Sequence, residues 1–293
     1  MCSGISRGTE TLVHRGGVPA PVRELMRAPY QEGDLPGPVK YGYLSVGVVQ
    51  QGPPEWAGRR VFCLHPHQDR YVVPADALVP VPDDVPDERA VLAGVVETAV
   101  NALWDAAPRY GDRVAVVGGG IVGGAVAALC RGFPLQRFEM VDADPSRADL
   151  ARTLGVSFAT PGDAAGDCDL VLHCSATAQG LALALDLLGD EGTCWELSWY
   201  GDASPPVPLG GAFHARRLSL RASQVGVVSA SRRARRTTRD RLVAAMAALT
   251  DPAFDALLGG RHRFEDLPAV MSDLAAGRCP PGCQVIRYEG ADA

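Results

Sequence analysis

Residues 111–142 read GDRVAVVGGGIVGGAVAALCRGFPLQRFEMVD, and this stretch constrains the fold more than any other in the chain. A turn signal, Gly111-Asp112, runs into the continuous apolar strand Val114-Ala115-Val116-Val117. Gly118, Gly120 and Gly123 follow in a G-x-G-x-x-G arrangement and open a small-residue helix face, Ala125 to Leu129. A second apolar run, Phe138 to Val141, ends on Asp142. Each glycine has a mechanical reason: Gly118 permits the tight strand-to-helix turn, Gly120 lets a pyrophosphate approach the backbone, and Gly123 lets the helix pack closely on the strand. The helix start offers free N–H groups and a positive partial charge to phosphates. Asp142 stands where a carboxylate can accept both hydroxyls of an adenosine ribose, which favours NAD(H) over NADP(H). Strand, glycines, helix, second strand and terminal acid in this order point to a dinucleotide site, where the glycine motif alone would be weak evidence.

A chain of 293 residues is long enough for two domains with cores of their own. The net charge of −6 argues against nucleic acid as the main partner. No leader-like stretch and no apolar run of membrane-spanning length stands out, so a cytoplasmic location and no membrane partner are expected. The eight cysteines contain no C-x-x-C pair, which suggests reduced thiols; Cys279-Pro-Pro-Gly-Cys283 reads as a turn. Lys40 is the one lysine among 28 basic residues, and arginine cannot replace its compact, deprotonatable ammonium.

Residues 1–85 read as β-rich, with dense turn punctuation and strands at Tyr43–Val49, Arg60–Leu64 and Arg70–Val73. Pro80 to Asp87 is a linker, followed by a helix from Glu88 to Ala107 at apolar helical spacing. From Gly111 strands and helices alternate: helix Ser146–Leu154, strand Leu170–His173, helix Ala178–Leu188, strand Thr193–Leu197. That order implies a parallel sheet covered by helices. The run RRARRTTRDR, Arg232 to Arg241, reads as a solvated loop and helix start before an apolar helix, Leu242–Leu249, with a phosphate- or carboxylate-binding patch as the other reading. A strand at Arg261–Phe264, a helix from Glu265 to Ala276 and a strand at Gln284–Tyr288 complete the chain. The expected fold class is α/β: a Rossmann doubly wound parallel sheet (86–227) plus a β-rich lobe (1–85), with a return segment (228–293) packing on that lobe.

This order resembles the medium-chain dehydrogenase/reductase superfamily over nearly the whole chain. Beside the glycine motif, the resemblance rests on Gly42-Tyr43-Leu44-Ser45-Val46-Gly47-Val48-Val49, on Gly58-Arg59-Arg60-Val61, on Glu97-Thr98-Ala99, and on Arg147 with Leu154-Gly155. More narrowly, Ser3 to Glu10, Val39 to Tyr43, Phe62 to Gln68 and Glu196 to Gly201 resemble the branch containing bacteriochlorophyllide hydroxyethyl dehydrogenase. The resemblance implies that the β-rich lobe is GroES-like and that a homodimer is possible. It also implies a cofactor held by Arg7, Thr98, Gly118, Gly120, Gly123, Asp142, Arg147, Ser175, Leu197 and Ser198.

The sequence departs from the superfamily pattern in two places. The catalytic zinc positions read Ser6, Tyr43 and Gly94, a hydroxyl, a phenol and no side chain, which is not a zinc donor set. The four-cysteine loop of a structural zinc is missing too, and His65-Pro66-His67 lacks a third nearby ligand, so no metal is expected. Second, Met1 falls just ahead of the S-G-I-S-R-G-T-E stretch, where relatives carry the first strands of the lobe. Either the start is read too late, or the lobe is incomplete and exposes sheet edges.

Without zinc, another group must stabilise the developing oxyanion or move its proton. Tyr43, in the place of a lost ligand, is the first candidate and His65 the second, with Glu10 and Lys40 behind them. Each also has a plain structural reading: a core aromatic, a loop histidine, a surface or capping carboxylate, a surface lysine. The expected activity is a zinc-independent, NAD(H)-linked interconversion of a secondary alcohol and a ketone on a bulky small molecule. A quinone- or enoyl-type reductase of the same superfamily, or a catalytically inactive dinucleotide-binding protein, stays open.

Overall fold

A computed structural model describes residues 1–288. They form two compact units, one made of Met1–Gly94 with the stretch from Leu242 onward, the other of Val95–Arg241. The boundaries expected at 85/86 and 227/228 thus lie further along the chain. Part of the reason is Arg241, the last arginine of the basic run. It is 2% exposed and donates to Glu97 Oε1 at 3.0 Å and Asn101 Oδ1 at 2.7 Å, and these bonds anchor residue 241 in the second unit. The solvated reading of the run holds for Arg232 to Arg236 but fails for Arg241, whose side-chain partners Glu97 and Asn101 are 140 residues or more away in sequence.

The first unit opens with β1 (Cys2–Ile5) and α1 (Arg7–His14), followed by a short hairpin of β2 (Glu32–Gly33) and β3 (Val39–Lys40). Then come β4 (Ser45–Val48), β5 (Arg60–Cys63), β6 (Val79–Pro80) and α2 (Asp87–Ala90). The second unit holds α3 (Ala93–Ala106, its first two residues belonging to the first unit), β7 (Arg113–Val117), α4 (Ile121–Cys130), β8 (Arg137–Val141), α5 (Arg147–Leu154) and β9 (Ser157–Ala159). It continues with β10 (Cys168–His173), α6 (Ala178–Asp186), β11 (Leu188–Glu196), β12 (Ser219–Ala222) and α7 (Thr238–Ala248), which runs on into the first unit. The first unit closes with β13 (Leu258–Arg263), α8 (Leu267–Ala275) and β14 (Cys283–Arg287).

The first unit's sheet runs β13-β14-β1-β4-β5-β6. All four residues of β1 are buried, and the strand pairs antiparallel with β14 on one side and β4 on the other. Within the described residues β1 is therefore an interior strand, and the sheet's edges are β13 and β6. Helix α8 lays Val270 and Leu274 on Ile5 and Ile286, and each such buried side chain contributes about 1.5–3 kcal/mol. The expected strand at Arg70–Val73 does not form. Its side chains alternate in exposure, but its backbone joins no sheet, and the Tyr71 ring instead lies flat on His65.

The second unit's sheet has the order β12-β11-β10-β7-β8-β9, every pair parallel. Alternate residues of β7 face opposite sides, and all of Val114 to Val117 are buried, as a parallel sheet covered on both faces requires. Helix α6 supplies Leu181, Ala184 and Leu185 to one side, against Ala115, Val117 and Val171. Because β8 and β10 both flank β7, the chain's direction of progress reverses at the β7/β10 junction. A switch point of this kind is where such sheets bind ligands, outside the carboxyl ends of the strands. The helix expected over 88–107 is two helices. Between them the Leu92 N–H turns back to the Arg89 carbonyl, an i to i−3 step that tightens the chain where Val91 and Leu92 are fully buried.

Candidate active site

Four strand ends build the crevice of the second unit. At the end of β7, Gly118 adopts φ +107°, and a Cβ there would lie 2.7 Å from the Ser175 backbone nitrogen. A Cβ on Gly123 would lie 1.8 Å from the Gly118 carbonyl oxygen, so α4 can start here only with glycine. Gly120 behaves differently: it is exposed, and a Cβ would meet nothing within 4 Å. Open space faces the backbone there, next to the start of a ten-residue helix whose cap makes no side-chain hydrogen bond. This combination fits an anion laid against the glycine turn.

Asp142, at the end of β8, points into the same turn. Its Oδ2 accepts the Gly119 N–H at 2.6 Å and its Oδ1 the Asp144 N–H at 2.8 Å. Arg147 begins α5 close by; its Cβ and Cγ would both lie 3.4 Å from a Cβ on Gly119, and its Nε is 3.5 Å from Asp144 Oδ2. The structure thus brings together Gly118, Gly120, Gly123, Asp142 and Arg147.

The ends of β10 and β11 add a polar chain. His173 and Glu196 are register partners, and His173 Nδ1 lies 2.7 Å from Glu196 Oε2. His173 Nε2 lies 2.6 Å from Ser175 Oγ, which is 2.9 Å from Thr177 Oγ1. Glu196 also accepts from the Ser198 N–H at 2.7 Å and the Tyr200 hydroxyl at 3.2 Å. Leu197 N–H donates to the His173 carbonyl at 2.9 Å, and Ser198 Oγ accepts from the Ala176 N–H at 3.0 Å. Ser175, Leu197 and Ser198 are therefore neighbours at one rim. Thr98 is half-buried on α3 in the same unit. His173, Glu196 and Gly119 are neighbours of these candidates that sequence reasoning missed. The only available signal was a histidine and a serine two apart at a strand end, since the cross-strand register is not legible.

The first unit carries the other candidates. Tyr43 is half-buried; burial, then the nearby Glu10 carboxylate, pushes its phenol up to about 12, against hydrogen bonds with Ser6 and Thr9. It stays protonated at neutral pH and can donate. His65 is 5% exposed, with its ring 3.6 Å from the Tyr71 ring and 5.5 Å from that of Tyr30. Its Nδ1–H donates to the Pro66 carbonyl at 3.0 Å, and burial holds the imidazole below its ordinary value, so it is neutral. Glu10 is buried rather than on the surface: Oε1 accepts the Ser6 N–H at 2.7 Å and Oε2 pairs with His67 Nε2 at 2.9 Å. Ser3 Oγ continues that chain from His67 Nδ1 at 2.7 Å to the Tyr288 hydroxyl at 2.8 Å. Lys40 pairs with Glu32 and donates to Gln68 Oε1 at 2.7 Å. Arg7 opens α1, half-buried.

No protein-family model matches this chain. It is 30% identical over 146 residues to L-threonine 3-dehydrogenase of Anaeromyxobacter sp. (strain K), a stretch covering 46% of this chain and 41% of that relative. The matched chain thus spans well under two thirds of its curated relative. Among solved structures, L-idonate 5-dehydrogenase from Escherichia coli superimposes with a TM-score of 0.76 at 15% identity, covering 97% of this chain and 88% of its own. An alcohol dehydrogenase, rspB, from E. coli CFT073, solved with NADH, gives 0.72 at 15% identity, covering 98% and 90%. The chain has the medium-chain dehydrogenase/reductase fold. Its first unit is the GroES-like lobe and its second the Rossmann domain.

Many medium-chain dehydrogenase/reductases carry a catalytic zinc, and the residues here do not fit one. Of the three ligand positions, Ser6 and Tyr43 hydrogen-bond each other. Gly94 leaves no room for a longer side chain, since a Cβ there would lie 2.6 Å from the buried Leu44. Among the described residues no three histidines, cysteines or acids are grouped to hold a metal.

Proposed function

We propose that this chain is a zinc-independent, NAD(H)-linked oxidoreductase that interconverts a secondary alcohol and a ketone on a bulky small molecule. The observation carrying this reading is the open face of Gly120 beside the uncapped start of α4, with Asp142 and Arg147 at the adjacent strand end. The relatives' names support a dehydrogenase, and the sequence resemblance to the bacteriochlorophyllide branch supports a bulky substrate.

Gly118, Gly120 and Gly123 with the first turn of α4 would hold the pyrophosphate, and Asp142 with Arg147 the adenosine ribose. When bound, the cofactor supplies or accepts the hydride. Arg7, Thr98, Ser175, Leu197 and Ser198 are proposed as further contacts to it. Tyr43 donates a hydrogen bond to the substrate oxygen in place of a metal; its raised phenol keeps the proton on that donor through neutral pH. His65, neutral with Nε2 bare, is the second candidate in the lobe.

Titration with NADH and NADPH, followed by a panel of secondary alcohols, ketones and conjugated alkenes, tests this reading. Tighter NADH binding with alcohol or ketone turnover is expected. Reduction confined to C=C bonds would move the chain to the enoyl-type reductases, and cofactor binding without any turnover would remove the enzyme reading.

A further inference from the structure

We propose that Ser175, His173 and Glu196 form a proton relay opening on the cofactor crevice, with Ser175 as the catalytic residue that receives the substrate's hydroxyl proton. This deepens the oxidoreductase reading above and rests on it.

Hydrogen-bond inventory fixes the direction of the chain. An ionised Glu196 can only accept, so His173 Nδ1, at 2.7 Å, carries its proton toward it. In neutral imidazole the other nitrogen is then bare, so Nε2 accepts from the Ser175 hydroxyl at 2.6 Å. Ser175 Oγ in turn accepts from the Thr177 hydroxyl at 2.9 Å and from the Thr177 N–H at 3.3 Å, and a hydroxyl from outside would take the place of the longer of these. A serine, an imidazole and a carboxylate bonded in this order are a general-base arrangement, recognised by geometry rather than by sequence position.

Its location puts the relay on the cofactor crevice. The Ser175 backbone nitrogen is the atom that a Cβ on Gly118 would strike, so the serine abuts the glycine turn at the sheet's switch point. The imidazole behind it is fully buried, while Ser175 itself is half-buried, so the crevice meets the imidazole through the serine hydroxyl. The titratable neighbours of the Glu196 carboxylate are Tyr200, Cys174 and Cys194. Burial raises all three above their ordinary values, so none of them adds a charge beside the His173–Glu196 contact at neutral pH.

The chemistry balances without a metal. When the alcohol is oxidised, the C–H electron pair leaves as hydride to the bound nicotinamide. The O–H proton passes to Ser175 Oγ as the Ser175 proton passes to His173 Nε2, and Glu196 stabilises the imidazolium. Reduction of the ketone runs the same transfers backwards. His173 and Glu196 act through Ser175 and are positioning residues.

The test combines kinetics with nitrogen NMR of the imidazole. S175A and H173Q should lower kcat by about 100-fold, and in H173Q, which keeps the Ser175 contact to the cofactor, NADH affinity should stay within about 3-fold of wild type. H173Q should also remove one limb of the wild-type kcat–pH profile, and E196Q should lose less, about 10-fold. Independently of turnover, NAD+ should shift the His173 Nε2 resonance in wild type but not in S175A. If H173Q does not fold, S175A alone carries the kinetic arm, since it removes the hydroxyl and leaves the 2.7 Å His173–Glu196 pair in place. An unchanged pH profile, or a loss confined to cofactor affinity, overturns the relay even where wild type turns over. If wild type oxidises no alcohol, the functional reading fails, and the NMR arm alone decides: a shift relayed through Ser175 keeps the chain as a crevice-linked acid–base group, and no shift discards it.

Discussion

Asp142 Oδ2 accepts the Gly119 N–H at 2.6 Å, which ties the acid at the end of β8 to the glycine turn at the end of β7. In the proposed NAD(H) complex the carboxylate would use its remaining lone pairs for the ribose hydroxyls and would repel a 2′-phosphate. D142A should weaken NADH binding by about 10-fold or more, the worth of a charge-assisted hydrogen bond, and narrow the gap to NADPH. Fluorescence titration of both cofactors measures this; a variant with an unchanged NADH constant would detach Asp142 from the cofactor.

Gly120 and Gly123 should separate folding from binding. A methyl on Gly123 collides with the Gly118 carbonyl, so G123A should unfold more readily by about 2 kcal/mol or more. A methyl on Gly120 meets no protein atom, so G120A should keep its Tm within about 2 °C while NADH affinity falls at least tenfold. Thermal melts and titrations on the two variants check the contrast.

Glu88, on α2, accepts Arg261 Nη2 at 2.6 Å and also binds Arg287, clasping β13 and β14 to the helix. Partial burial pushes its carboxyl up, but the two guanidiniums outweigh this and hold it below its ordinary value. A lowered folded-state pKa gives stability that is present above the ordinary carboxylate range and lost as pH falls through the lowered value. E88Q should therefore cost about 1 kcal/mol at neutral pH, roughly 2–4 °C in Tm, and the difference from wild type should close on acidification.

Arg241 and Glu97 are both nearly inaccessible, at 2% and 4% exposed. Removing the guanidinium strands a buried carboxylate whose pKa burial already raises. R241M should cost about 3–5 kcal/mol, while R241M with E97L should recover most of that loss. Denaturant unfolding of the two variants tests the order; equal losses would show that the pair's charge is not what matters.

Metal analysis of protein purified without added metal should find no stoichiometric zinc, and a chelator should leave NADH affinity and turnover unchanged. A bound equivalent of zinc lost together with activity would overturn the metal-free reading, because Ser6, Tyr43 and Gly94 supply no donor set for it.

The Rossmann half was legible because its signals are local. The glycines, the apolar strand and the closing acid lie within 32 residues, and each declares its own conformational need. The His173–Glu196 pair was not, because it exists only through the β10/β11 register, and nothing in either strand announces its partner. Arg70–Val73 misled for a related reason: alternation reports which side each residue faces, but a strand also needs a neighbour with free backbone groups. Arg241 looked like its exposed neighbours in the basic run, and its bonds to Glu97, Asn101 and the Val225 carbonyl distinguish it. The tyrosines flanking His65 are likewise remote in sequence from one another.

The β1–β14 pairing has a consequence for how the molecule comes into being. Cys2 to Ile5 wait for Gln284 to Arg287 before one side of their ladder can close, so the GroES-like sheet is completed only after the intervening Rossmann segment has been synthesised. The inserted segment has no such debt to the far ends. It should acquire protease resistance on the ribosome first, and a release near residue 280 should leave a nucleotide-binding domain tethered to a lobe with an open seam.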